Sequence, residues 1–454
     1  MKIRLTNLCA GLIGIILGIS LTITGMAIAQ REGTVTEAVP LKNIQRFTTA
    51  ISEIKNYYIK PVADDVLFDN AIRGMLAGLD PHSSYLDENE YKELTSTTQG
   101  EFSGLGLELT TEDGVVKVVT PIDDSPAQKA GIKPGDLIVS VDNTPVKGMT
   151  LVEVVKKMRG QKGSTAALLV VRKGEPKLLK INVKRDVVTL KSIKAQLVDG
   201  KYGYVRLSNF QAPTAQDLTN AINKMKQQAG GQLKGLVLDM RNNPGGLLDS
   251  AVGVSNQFLH NNNVIVYAKG RTQNTNFVAR ATNNDILNGA PMVILINGGT
   301  ASAAEIVAGA LQDEKRAIVM GQTSFGKGSV QTVLPLDNNT AIKLTTALYY
   351  TPKGRSIQAE GIVPDITVAN LDISKATNQT DTLDAIKEAN LPGHILNSHP
   401  TPASPIPATS SDKGSTANNF GNLAKDYQFQ EAMNVLKGLV AAKDTGNQAV
   451  AAQH

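Results

Sequence analysis

The sequence predicts an α/β protein: a sheet with helices on its faces, carrying a smaller β-rich module and led by a helical arm. Three observations predict it. Apolar residues recur at three- and four-residue steps near the start, the period drops to two from about Gly100, and strands then alternate with helices.

The arm occupies 41–99. Leu41, Ile44, Phe47, Ile51, Ile54 and Tyr58 share one face of a first helix. A second carries Val66, Ala71, Ile72, Met75, Leu76 and Leu79 and stops at Asp80-Pro81, because a residue before proline is pushed out of the helical region. Such an arm packs on its own domain or on a partner chain. The module over 100–185 reads as short strands EFSGLGLELT, GVVKVVT and DLIVSVD with a closing pair, ALLVVRK and PKLLKINVKR. SPAQKAGIKPGD reads as a helix capped by Ser125, with Pro126 at its first position and Gly131 past its end, and LVEVVKKMRG as another.

The alternating block spans 186–372. YGYVRLSNF, KGLVLDMR, APMVILIN, RAIVMG and AIKLTTALYY read as strands. TAQDLTNAINKMKQQ, LLDSAVGVSNQFL and SAAEIVAGALQD read as helices, which is the grammar of strand, tight turn, helix. An extension follows over 373–396. The Pro/Ser/Thr-rich stretch over 397–420 buries too little to fold and reads as a disordered linker. A short amphipathic helix over 425–444 closes the chain.

The 454 residues suffice for two to four domains, and a hydrophobic content of 41% supplies real cores. The formal charge of +5 is mild, and no dense Lys/Arg run with interleaved aromatics appears, which argues against nucleic-acid binding. Lys2 and Arg4 precede an apolar run from Leu8 to Ala29 that exits through Ala27-Ile28-Ala29. Residues 1–29 are therefore a secretory signal, or a membrane anchor if uncleaved, since about 20 apolar residues span a bilayer. Either outcome places the rest outside the cytoplasm. The one cysteine, Cys9, lies in that segment, so the exported part has no disulfide and no thiol nucleophile. None of the five histidines shows metal-ligand spacing, so neither metal nor cofactor is expected.

The stretch GQTSFGKGSV, Gly321–Val330, nearly spells a phosphate-binding loop. Gly328 stands where such a loop needs Ser or Thr, and the residues that follow read as a strand rather than a helix. Lys327 invites a second reading. Ser302, in NGGTASAAEI, follows a buried strand and opens a helix, where backbone N–H groups lack partners and the helix dipole is positive. A serine oxygen there can attack a carbonyl while those N–H groups receive the oxyanion; it can also serve simply as an N-cap. The serine needs a base, and a lysine serves if burial lowers its pKa. Lys327 has no acid in its own loop, which suits a neutral amine; the plainer alternative is a solvated loop lysine. Gln331 can hydrogen-bond that amine. In DMRNNPGGLLD the paired glycines let backbone approach a ligand, and the N–H of Gly246 can join that of Ala303.

LDPHSSYL, GEFSGLGLEL, SPAQKAGIKPGDLIVSVD, LDMRNNPGG, TASAAEI, GQTSFGKGSVQ and GRSIQAEGIVPD occur in that order between about Leu41 and Leu371. Together they resemble the PDZ-containing carboxyl-terminal processing, or tail-specific, serine proteases of bacterial envelopes and chloroplasts. The resemblance implies a crotonase/ClpP-like α/β core built as a spiral of ββα units, with an inserted PDZ domain and the N-terminal helical arm. It implies Ser302 as nucleophile, Lys327 as general base and Gln331 as the residue orienting the lysine, with Gly246 and Ala303 forming the oxyanion hole. The PDZ domain would capture a substrate's free C-terminus at Ser103, Gly104, Leu105 and Gly106. Leu105, Leu107 and Leu109 would line the pocket, and Arg159 resembles a sensor arginine through which a bound peptide gates the protease. The expectation is an exported or membrane-anchored endopeptidase of the cell envelope, homodimeric through its helical ends, acting on protein or peptide substrates. The competing expectation is a PDZ scaffold that binds tails without cutting.

Overall fold

The computed structural model describes residues 40–112, 115–122, 125–189, 191–282, 284–336, 339–370, 387–396 and 423–451. The expected leader, the Pro/Ser/Thr-rich linker and residues 373–386 lie outside them. The chain divides at Ala71 into two units.

In the first unit, helix α1 (Leu41–Tyr57) buries no residue. The Phe47 and Phe68 rings lie 6.1 Å apart and Lys55 pairs with Asp64 at 2.7 Å, which ties α1 to the start of α2 (Asp64–Ala77). Helix α2 ends before the expected stop at Asp80-Pro81. Gly78 follows Ala77 and favours the helix poorly. Asp80 then folds the next turn, accepting the N–H groups of His82 and Ser83 at 2.8 and 2.9 Å.

The second unit opens with β1 (Ser84–Leu86) and α3 (Glu88–Thr98), which begins in a reciprocal cap between Asp87 and Glu90. The β-rich module follows: β2 (Glu101–Gly104), β3 (Leu107–Glu112), β4 (Val115–Pro121), α4 (Pro126–Lys129), β5 (Leu137–Val141), β6 (Thr144–Pro145), α5 (Leu151–Met158), β7 (Thr165–Val171), β8 (Leu179–Lys184) and β9 (Asp186–Thr189). Strands β3-β4-β5-β7-β8 form one antiparallel sheet over a core that includes Val118, Ile138, Val154 and Leu168. The single strand expected over EFSGLGLELT is two strands in two sheets. β2 pairs with β9 and β3 with β4. The chain turns at Gly106, whose φ is +76° and where a Cβ would lie 2.3 Å from Ser125 Cβ. Only glycine permits that turn.

The remaining elements are β10 (Ile193–Val198), β11 (Tyr202–Leu207), α6 (Thr214–Gln228), β12 (Gly235–Asp239), α7 (Leu248–Asn256), β13 (Val264–Gly270), β14 (Phe277–Arg280), β15 (Met292–Ile296), α8 (Ala303–Asp313), β16 (Ile318–Gly321), β17 (Ser329–Pro335), β18 (Ala341–Tyr350), β19 (Ile366–Thr367) and α9 (Tyr427–Ala451). The main sheet has the order β10-β11-β12-β15-β16-β19, parallel except for β10. Every residue of β12 and β15 is buried, as expected for parallel strands covered on both faces. Helices α6, α7 and α8 cover one face. The other face packs against Phe429, Ala432, Met433 and Leu436 of α9. An antiparallel sheet, β1-β18-β13-β14 with β17 on β18, completes the unit.

Candidate active site

The site forms where β12 and β15 end side by side. Their loops are joined by polar bonds. Asn297 Nδ2 donates to Asn242 Oδ1 at 2.8 Å, the Asn242 N–H donates to Asn297 Oδ1 at 2.8 Å, and Thr300 Oγ1 donates to the Met240 carbonyl at 2.9 Å. The Ala301 N–H reaches the Asn243 carbonyl at 2.9 Å. This lattice fixes the Gly245-Gly246 turn against the start of α8. A Cβ on Gly245 would stand 2.8 Å from Ser302 Cβ and 3.0 Å from Ala303 N. Gly246 has φ +142° and bridges to Phe210. Neither the Gly246 nor the Ala303 N–H is taken by a hydrogen bond among the described residues.

Ser302 stands at the head of α8 with φ 56° and ψ −118°. Ser302 is the N-cap of the helix and its N–H goes to Glu305 as in a reciprocal cap, but its φ is positive where an ordinary N-cap serine is extended. Positive φ at a non-glycine residue is strained and persists only where the surroundings impose it. Here Glu305 and the glycine turn impose it.

Glu305 is fully buried and accepts four hydrogen bonds. One carboxylate oxygen takes the Ser302 N–H at 2.7 Å and the Lys327 N–H at 2.9 Å. The other takes the Gly326 N–H at 2.8 Å and the Ser324 hydroxyl. Burial nonetheless pushes its pKa up to about 7 against those bonds. Ser302 and the Lys327 loop, separate in sequence, thus meet on one oxygen.

Burial also lowers the Lys327 pKa below its ordinary value of 10.5, and Lys343 lowers it further. The absence of an acid from the loop itself is compensated in space: Glu388, Glu305 and Asp80 all favour the charged amine, yet desolvation outweighs them. The Lys327 carbonyl accepts the Tyr349 hydroxyl. Gln331 lies on β17, and its amide nitrogen donates to Ser329 Oγ at 3.0 Å and Thr345 Oγ1 at 3.3 Å.

In the β-rich module, Ser103 Oγ donates to the Gly160 carbonyl at 2.8 Å, and neighbouring Arg159 pairs with Glu93 of α3. Gly104 ends β2. Leu105 is not a pocket-lining side chain: it is 3% exposed and packs in the module's core, because the turn at Gly106 rotates it inward. Leu107 and Leu109 are half-buried.

Glu305 went unread in the sequence, although Ser302-Ala-Ala-Glu305 has the spacing of a reciprocal helix cap. Asp239 and Arg241 open the DMRNNPGGLLD motif. Buried Asp239 is held ionised by Arg241 and Arg206, and Arg241 also grips Asp426 at 2.6 Å and Gln428 at 3.0 Å. Asp239 and Arg241 stand two residues apart, but their other partners, Arg206, Asp426 and Gln428, come from distant parts of the chain and nothing local signals them.

The comparisons with known proteins define the class: a serine peptidase. Peptidase family S41 matches residues 201–368, a PDZ domain matches 103–183, and the N-terminal domain of the activating protease CtpB matches 20–90. A carboxy-terminal-processing protease of Bartonella bacilliformis is 43% identical over 93% of this chain and 94% of that protein. The carboxy-terminal processing protease CtpA of Bacillus subtilis is 35% identical over 73% of this chain and 70% of that protein. The solved structure of a photosystem II D1 C-terminal processing protease is 32% identical, covering 71% of this chain and 86% of that one with a TM-score of 0.44. The chain belongs to the PDZ-containing carboxy-terminal processing proteases of peptidase family S41.

Proposed function

We propose that this protease is an exported endopeptidase in which Ser302 is the nucleophile and Lys327 the general base, with substrates chosen by their C-terminal tails. One observation carries the reading: the Ser302 and Lys327 N–H groups converge on a single Glu305 oxygen. That convergence supports the reading by bringing the Ser302 backbone to the loop that carries buried Lys327.

The neutral Lys327 amine takes the proton of Ser302 Oγ as the oxygen attacks the scissile carbonyl. The N–H groups of Gly246 and Ala303 receive the developing oxyanion. Lys327 then passes its proton to the leaving amine, and an acyl-enzyme remains. Water, deprotonated by the same lysine, releases the acid and restores Ser302. The amide nitrogen of Gln331 is engaged by Ser329 and Thr345, which leaves its oxygen to accept from Lys327 and aim the amine's lone pair. The turn Ser103–Leu107 and Arg159 receive the substrate tail, with half-buried Leu107 and Leu109 favouring apolar C-termini.

Ser302→Ala and Lys327→Ala each abolish cleavage of a tailed peptide, and Gln331→Ala weakens it about tenfold. Activity rises with pH as Lys327 loses its proton, with a midpoint below 10.5. Near-normal turnover by folded Lys327→Ala would remove the base assignment. Reporters differing only in their last three residues test tail selection; equal kcat/KM for all of them refutes it. The same reading extends to residues 1–29 as leader or anchor, tested by fractionation of the full chain. It also extends to a homodimer formed through the helical arm, where Leu41, Ile44, Phe47 and Ile54 are exposed. Light scattering of the purified chain tests that, and a monomer at micromolar concentration overturns it.

A further inference from the structure

The segment after the last strand of the main sheet reaches back to the Lys327 loop. Lys387 Nζ donates to the carbonyls of Thr323 and Ser324 at 2.8 and 3.2 Å, and the Glu388 N–H donates to the Phe325 carbonyl at 3.3 Å. Gln358 sits between the two: its side-chain oxygen accepts the Gly328 N–H at 2.9 Å, and its amide nitrogen donates to Glu388 at 2.9 Å and to the Ile395 carbonyl at 3.1 Å. The Glu388 side chain is fully buried, and both its oxygens lie within 2.8–2.9 Å of His82 Nε2. His82 in turn is anchored by its N–H to Asp80. A glutamate beyond the stretch matched to the peptidase family thus closes a chain from His82 through Gln358 to the residue beside Lys327.

We propose that Glu388 is a positioning residue for Lys327, holding the lysine loop through Gln358 and supplying a fixed negative charge beside that loop. A carboxylate with two strong partners and no solvent exposure is expensive to bury unless its charge and geometry are used. Its hydrogen bonds to His82 and Gln358, together with Lys327, keep Glu388 ionised. The other charged groups acting on Lys327 are Lys343, Glu305 and Asp80, with Glu305 already engaged by four donors. Glu388 therefore works against desolvation: it keeps the amine from becoming too weak a base to strip a serine hydroxyl.

The inference rests on Lys327 being the base, and the experiment separates the two. The probe is an active-site-directed sulfonyl fluoride whose rate of attachment to Ser302 is followed against pH in the full chain. Lys327→Ala abolishes labelling if the lysine is the base, whatever Glu388 does. Glu388→Gln keeps size and shape but removes the charge; the labelling midpoint should move down by about one pH unit and the plateau rate fall about tenfold. Glu388→Asp keeps the charge and withdraws it by one methylene; its midpoint should stay near wild type while the plateau falls. Circular dichroism melts confirm folding of each. If Glu388→Gln does not fold, the Glu388→Asp pair of readings decides. A lost plateau with an unmoved midpoint in Glu388→Gln, wild-type behaviour in both variants, or a Glu388→Asp midpoint shifted with its plateau intact overturns the proposal.

Discussion

Glu305 is the residue on which the site's two halves depend, and its chemistry can be tested separately from turnover. Its pKa of about 7 lies above the ordinary 4.5. A carboxyl group so raised favours the fold below its unfolded value, and that contribution is lost as pH rises through the folded value. The melting temperature should therefore fall from about pH 5 to pH 8, and Glu305→Gln should flatten that fall. The same variant turns an amide NH2 toward backbone donors that need an acceptor, so it should destabilise by about 3 kcal/mol, read by chemical denaturation. A Glu305→Gln protein as stable as wild type, with the same pH dependence, would show that the four bonds contribute nothing. Of the residues of the candidate site, Ser302, Lys327 and Gly246 could be singled out from the sequence because each sits in a short motif with its own chemistry. Glu305, His82 and Glu388 were not. Their importance lies in which distant groups they touch, and a local pattern does not carry that.

At the scale of elements, the site is a joint between two parallel strands and one helix, tightened by glycine. Gly246 shows why the turn admits no side chain: a Cβ there would lie 2.1 Å from the Phe210 carbonyl oxygen, which is backbone and cannot rotate away. Gly246→Ala should destabilise by roughly 3 kcal/mol and stop labelling of Ser302, because the turn must lift off the Phe210 backbone and carry its N–H with it. Labelling at the wild-type rate would mean that the turn can shift without moving the surroundings of Ser302. The buried strands β12 and β15 were readable as unbroken apolar runs. Strand β13 was not read from the sequence; it pairs with nearby β14 and, through Tyr267 opposite Tyr350, with distant β18. EFSGLGLELT misled because alternation persists through Gly106 while the backbone leaves one sheet for another. Helix α9 outran its expected end at 444 and continues to Ala451 through a stretch that begins Thr445-Gly446-Asn447-Gln448. A helix anchored by its buried face propagates past the end of its apolar stripe.

At the scale of the molecule, α9 has a structural duty that its place beyond the linker conceals. It is the cover for the second face of the main sheet. Tyr204, Val237, Val293, Leu295 and Met320 have their apolar surface closed by Phe429, Met433, Leu436 and Val440. The Phe429 ring meets Tyr204 edge-on at 5.1 Å, and a Cβ on Gly235 would lie 2.8 Å from Leu436 Cδ1, so the packing is close. Burying each such side chain contributes about 1.5–3 kcal/mol, and four of them together rival the whole stability of an ordinary domain. The helix also secures the chemistry, since Asp426 and Gln428 hold Arg241, which leads into the Gly245-Gly246 turn. Leu436→Ala should destabilise by about 2–5 kcal/mol in chemical denaturation. A chain stopped before Leu423 should lose both the sheet's cover and the grip on Arg241. It should aggregate or bind a hydrophobic dye strongly, and fail to label at Ser302. A truncated chain that stays monodisperse, denatures at the wild-type midpoint and labels normally would mean that the sheet is stable with one face bare, which parallel sheets in water do not achieve.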